Sequence, residues 1–132
     1  MSILGVAATA PLLSACQKAP VVRASSITED QRLVVNKDEF LTQDYVLIEH
    51  PNHSQPICLL QTNNGDYTAS LMSCTHQKCT LAVSEQDFVC PCHGARFSHE
   101  GKLLKGPADR DLTSYKTRVT DTTILIDLMS AG

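Results

Sequence analysis

The chain has 132 residues, of which 42% are hydrophobic and 19% charged, with a formal net charge of −3. That composition fits one globular domain and excludes a disordered polymer. The slightly acidic balance argues against a general nucleic-acid binder, which would carry a basic patch. Trp is absent and aromatics are only 5%, so Val, Ile and Leu must supply most of the core.

The first sixteen residues, MSILGVAATAPLLSAC, hold no charged side chain. The apolar run from Ile3 to Leu13 is about half of the roughly twenty residues that a membrane-spanning helix requires. It matches the apolar core of a secretory signal. Its end, LLSAC, resembles a bacterial lipobox, which implies cleavage before Cys16 and lipidation of that residue. Residues 1–15 are thus expected to be a signal-peptide-like segment. It departs from the usual signal in having no basic residue ahead of Lys18. The following small, polar, Pro-bearing stretch reads as a flexible tether over residues 16–27, with the folded domain expected over 28–130.

From there the pattern is β. Gln31–Val35, Asp44–His50 and Gln55–Thr62 are β-branched and apolar. Asn63-Asn64-Gly65-Asp66 is a hairpin turn, because Asn-Gly adopts positive φ at low cost, and Asp66–Met72 is its partner strand. The segments TLAV and FVC flank a polar turn at Ser84–Asp87, and another turn is expected at His99–Gly101. SYKTRVT and TTILIDL form a last hairpin about Asp121. No helical period of ten or more residues follows Gln31. Short strands with closely spaced turns predict an all-β antiparallel sandwich or barrel.

Inside this β pattern stand two unusual boxes, Cys74-Thr75-His76-Gln77-Lys78-Cys79 and Cys90-Pro91-Cys92-His93-Gly94. In the spacing C-x-H, thirteen residues, C-x-x-H, each box offers a Cys and a His. Thiolate and imidazole suit zinc, copper and iron. Cys74, His76, Cys90 and His93 could close a tetrahedral zinc site. They could equally hold a 2Fe–2S centre with two Cys on one iron and two His on the other.

The two boxes, followed by Gly106-Pro107-Ala108, resemble the Rieske iron–sulfur family. The likeness is strongest over Cys74–Ala108, within a cluster-binding part expected over about 72–108, and closest to the disulfide-containing branch of quinol-oxidising cytochrome complexes and arsenite oxidase. It implies a Rieske-like fold with a small inserted cluster-binding subdomain of two metal-ligand loops, and one 2Fe–2S cluster per chain. Cys74 and Cys90 would bind the inner iron, and His76 and His93 the outer one. Cys79 and Cys92 would form a disulfide, worth about 3 kcal/mol for a loop of this size, and an exported location permits such a bond. Gly106, Pro107 and Ala108 would be the loop that covers the cluster.

The resemblance implies one-electron transfer, with electron uptake coupled to proton uptake at His76 and His93. It does not by itself make the polypeptide an enzyme. The donor would be a quinol or a redox protein, and the acceptor a cytochrome or an oxidoreductase subunit. With a lipid anchor at Cys16, the domain would lie on the periplasmic side of the bacterial inner membrane. A soluble Rieske ferredoxin donating electrons to an oxygenase is the competing reading, and a redox-inert zinc module a third.

The sequence departs from the family at three places. Lys78 stands where Gly is common, and reads as a solvated loop-tip side chain. Ala95 and Phe97 replace the Ser and Tyr of high-potential respiratory members. Those hydroxyls donate hydrogen bonds that stabilise a reduced, more negative cluster and raise its potential. A lower potential is therefore expected here. The remaining candidates are read as structural: His50 and His53 in a turn, His99 in another, Asp109–Asp111 as a solvated turn, and Cys58 as a buried small hydrophobe.

Overall fold

The computed structural model of the protein describes residues 20–132. The signal-like segment and Cys16 lie outside the described residues. The expected all-β architecture is what the chain adopts. Its strands are β1 (Val21–Val22), β2 (Ser26–Ile27), β3 (Arg32–Asn36), β4 (Tyr45–Ile48), β5 (Ile57–Gln61) and β6 (Tyr67–Leu71). They continue with β7 (Ala82–Val83), β8 (Asp87–Val89), β9 (Arg96–Ser98), β10 (Leu103–Lys105), β11 (Ser114–Val119) and β12 (Thr123–Asp127).

Eight strands form one sheet in the order β1-β4-β5-β6-β11-β12-β3-β2, and four form a small sheet, β10-β9-β8-β7. The small sheet is inserted between β6 and β11, which pair directly with each other. All pairings are antiparallel except that of β1 with β4. β1 and β2 fall in the stretch expected to be a tether, so sheet pairing already begins at Val21. A two-residue strand shows no alternation by which a sequence could reveal it. At the hairpin between β5 and β6, Gly65 has φ +86°, and the Gly65 N–H donates to the Thr62 carbonyl at 3.0 Å.

Two cores result. One is aliphatic and lies inside the curled large sheet, where Leu33 and Val35 of β3, Val46 and Ile48 of β4, and Ile124 and Ile126 of β12 meet. The second lies between the two sheets and contains Cys58, Met72, Cys74, Phe88, Cys90, Ala95 and Phe97. Side chains alternate across a strand, and β5 uses both of its faces. Ile57 and Leu59 enter the first core, while Cys58 and Leu60 enter the second. That explains why Ile57–Leu60 is a continuous apolar run rather than an alternating one. Burial pushes the Cys58 thiol up to about 12, which keeps it protonated and inert, as expected of a small hydrophobe.

Candidate metal centre

Both Cys/His boxes cap hairpins, and they do so with the same backbone hydrogen bonds. In the first, Met72 and Leu81 pair through the Leu81 N–H and the Met72 carbonyl at 3.0 Å. Ser73 then bridges to Thr80. The Cys74 N–H donates to the Cys79 carbonyl at 2.9 Å, and the Lys78 N–H donates to the Cys74 carbonyl at 2.7 Å. In the second, β8 and β9 pair, the Cys90 N–H donates to the Ala95 carbonyl at 2.8 Å, and the Gly94 N–H donates to the Cys90 carbonyl at 2.8 Å. The fifth residue of each loop takes positive φ, +59° at Lys78 and +79° at Gly94. The loops are thus built alike, although only Cys74 and Cys90 share a place in them.

This repetition brings the predicted residues together in an ordered way. Cys74 and Cys90 are each 1% exposed and belong to the same buried cluster. Burial pushes the Cys74 thiol above its usual range, while the backbone N–H groups of His76 and Gln77 donate to its sulfur and pull the other way. His76 and His93 are both exposed. Their rings lie edge to face with centroids 5.0 Å apart. Two buried sulfurs and two exposed imidazoles are an asymmetric donor set, soft inside and nitrogenous outside. It suits a binuclear iron–sulfur group better than a structural zinc site, which gains nothing from an exposed half.

Cys79 and Cys92 are joined as the resemblance implied, with sulfurs 2.07 Å and Cα atoms 6.5 Å apart. The Cys90 sulfur lies within 4.8 Å of both disulfide sulfurs. The disulfide sulfurs are bonded to each other, which leaves Cys90 as the free thiolate donor of that trio. Gly106 and Pro107 are exposed, and Ala108 is buried in the second core, 6% exposed. The peptide between Gly106 and Pro107 is cis. The segment after Pro107 is fastened to the first loop by the Thr75 hydroxyl, which donates to the Arg110 carbonyl at 2.9 Å.

Sequence reasoning missed three supports. The Gln55 side-chain amide donates to the Lys78 carbonyl at 2.8 Å. Thr75 makes the tie to Arg110 just described. Arg96, directly after Ala95, forms an ion pair with buried Asp87 at 2.8 Å, and the Ser84 hydroxyl donates to the same carboxylate at 2.6 Å. None is visible before the register of the strands is known.

The residues read as structural behave so. The His50 Nδ1 accepts from the Asn52 N–H at 2.9 Å, and its ring packs against those of His53 and Tyr115. His99 Nε2 contacts the Ser84 carbonyl at 3.0 Å. A cavity of about 560 Å³ lies at the other end of the small sheet, lined by Asp44, Glu85, His99 and Glu100 among others.

Comparison with known proteins agrees with this geometry. Residues 17–116 match the model of the Rieske [2Fe-2S] domain. The cytochrome b6-f complex iron-sulfur subunit of Chlorobaculum tepidum is 33% identical over 72 residues, covering 53% of this chain and 40% of that protein. The corresponding subunit of Microcystis aeruginosa is 44% identical over 50 residues, covering 36% and 28%. The chain thus spans less than half the length of these relatives. Among solved structures, the plasma membrane Rieske protein PetC3 of Synechocystis PCC 6803 is 36% identical with a TM-score of 0.61, covering 70% of this chain and 97% of that one. The complex of oxygenase and ferredoxin in carbazole 1,9a-dioxygenase also matches, with a TM-score of 0.59 at 16% identity over 73% and 92% of the chains, which speaks to the fold alone.

Proposed function

This chain belongs to the Rieske [2Fe-2S] domain family and transfers single electrons through a 2Fe–2S cluster, and we propose that it does so as a lipid-anchored subunit of a quinol-oxidising or related respiratory oxidoreductase. The observation that carries the site assignment is the division of the donor set, with Cys74 and Cys90 buried and His76 and His93 exposed on matched loops.

When bound, the cluster supplies one-electron storage at a low-reorganisation metal site. The chain's own residues do the rest. Cys74 and Cys90 would hold the inner side as thiolates inside the second core, where Phe88, Phe97 and Leu81 exclude water. His76 and His93 would hold the outer side, each offering one ring nitrogen. The other nitrogen of each ring is left to hold or release a proton at the surface, or to hydrogen-bond a quinol or a partner protein. The Cys79–Cys92 bond keeps the two loops in register when the sheet fluctuates. Gly106, Pro107 and Ala108 cover the site from a third side, which limits water access and so tunes the potential.

The placement in a quinol-oxidising complex is supported by the cytochrome b6-f relatives and by the disulfide, which a cytoplasmic ferredoxin has no need of. Among the described residues no helix is long and apolar enough to cross a membrane. The anchor is proposed at Cys16 after removal of residues 1–15, on the periplasmic side of the inner membrane. Labelled palmitate should enter the wild-type protein in a bacterial host and not Cys16→Ala; equal labelling would remove the anchor.

Ala95 and Phe97 are both fully buried beside the Cys pair, and neither can donate a hydrogen bond to sulfur. This supports a midpoint in the lower part of the Rieske range of about −150 to +300 mV, suited to a low-potential donor such as menaquinol. The deciding experiment is EPR of the dithionite-reduced protein with iron and acid-labile sulfide analysis. An iron–sulfur signal is expected, with iron and sulfide in equal amounts. Protein without either would end the reading. In voltammetry, Ala95→Ser should raise the midpoint.

A further inference from the structure

His76 and His93 are ringed by exposed residues of the two loops, Lys78 among them. Lys78 holds a left-handed backbone, φ +59°, at the place that Gly94 fills in the matched loop. That conformation crowds the Cβ of an L-residue against its own backbone. The contact of Lys78 with Gln55 is made by its carbonyl, which any residue would supply. Its ammonium group is exposed and has no ion-pair partner among the described residues. The positive charge is therefore the one property of Lys78 that the fold does not use, and a strained residue retained at a site invites a functional reading.

Two more cations share this end of the molecule. Lys105 is the exposed last residue of β10, directly before the Gly106-Pro107 cover, and it too has no ion-pair partner among the described residues. Arg110 is fastened beside the first loop through its carbonyl's bond with Thr75. Its side chain is 72% exposed, with only Asp109 near it at 3.9 Å. The opposite end of the small sheet carries Asp44, Glu85 and Glu100 around the large cavity. A chain of net charge −3 thus keeps its redox face cationic and its far end anionic, an arrangement that orients an approaching charged body.

We propose that Lys78, Lys105 and Arg110 form a docking rim that orients an acidic redox protein, one carrying Asp and Glu side chains around its own electron-transfer edge, against His76 and His93. The proposal rests on the cluster reading above and names the partner chemistry for that site. An anionic lipid surface is the weaker occupant, because such surfaces are usually held by clusters of roughly four to eight Lys or Arg.

The test uses the cluster-loaded full chain and two small oxidants of opposite charge, the ferricyanide trianion and the tris(phenanthroline)cobalt(III) trication, in stopped flow from low to physiological ionic strength. A cationic rim makes the ferricyanide rate fall as salt rises; the net charge of the chain acting alone would make it rise. Lys78→Gln should lower the low-salt ferricyanide rate about three-fold and raise the cobalt rate. A change of cluster potential would instead move both rates in one direction. Glu85→Gln, at the far end, should alter neither. A ferricyanide rate that climbs with salt, or two rates that shift together in Lys78→Gln, overturns the rim. Sedimentation with phosphatidylglycerol vesicles that is lost in Lys78→Gln and Lys105→Gln reassigns it to a lipid surface and overturns the protein partner. A preparation without iron and sulfide fails earlier, and on the cluster reading itself.

Discussion

The two Cys/His loops share one backbone design and fill it differently. Each begins with a buried Cys whose N–H and carbonyl close the turn. Beyond that, the first loop places His at its third position and the disulfide Cys at its sixth. The second places the disulfide Cys at its third position and His at its fourth, with Ala95 sixth. The bond between the loops therefore joins unlike positions, and the ligand pairs need not be related by the same symmetry as the backbone. The difference teaches that backbone hydrogen bonding sets the scaffold, while side-chain placement on it decides what is bound and what is fastened.

The strongest way to break this comparison is to remove a ligand from either loop. Cys74→Ser and Cys90→Ser, or His76→Ala and His93→Ala, should each abolish the visible cluster spectrum. The two loops predict equal loss, and a retained spectrum in one of the pair would show that its loop is not a ligand loop. Next comes the bond between them. Cys79→Ala with Cys92→Ala should lower stability by about 3 kcal/mol in urea unfolding. The loss should be shared by both loops in hydrogen exchange, since neither keeps its partner.

Smaller effects separate the loops. Asp87 anchors only the second, through Arg96 on the strand that leaves it. The Ser84 hydroxyl and the Arg96 guanidinium hold the Asp87 carboxyl below the usual carboxylate range. A carboxyl lowered by folding stabilises above its unfolded value of about 3.9, and that stabilisation is lost as pH falls through the lower folded value. Asp87→Asn should thus cost about 1–2 kcal/mol at neutral pH and converge with the wild type in acid. Chemical denaturation at both pH values checks it. Gly94→Ala meets open space, with nothing within 4 Å of the added carbon, so its cost of about 1–2 kcal/mol would be backbone strain alone. The reciprocal change, Lys78→Gly, should gain at most about 1 kcal/mol, because relief of strain is offset by a freer unfolded chain. Should both substitutions prove neutral, the fifth position would not be strained in either loop.

Much of this was readable from residues. Asn63-Asn64-Gly65 announced its hairpin because only a few residue types take positive φ cheaply, and β3, β4 and β5 announced themselves by their β-branched and apolar content. The Cys and His boxes were readable because thiol and imidazole are scarce and their spacing is chemical. What could not be read depends on neighbours distant in sequence. Nothing local marks Val21–Val22 as a strand, since its partner is β4. Thr75 and Arg110 stand far apart until the small sheet brings them together. Lys78 looked like a solvated loop tip, and its exposure agrees; the Gly common at that place in the resembled family hinted at the positive φ that the backbone shows.

β5 is the common wall of the aliphatic interior and the sulfur-lined one, with alternate side chains committed to each. Neither compartment can come apart while the other stays intact, because both would have to give up the same strand. Bleaching of the iron–sulfur colour on heating should therefore coincide with loss of the β circular-dichroism signal, in one transition. The redox centre has no melting point of its own.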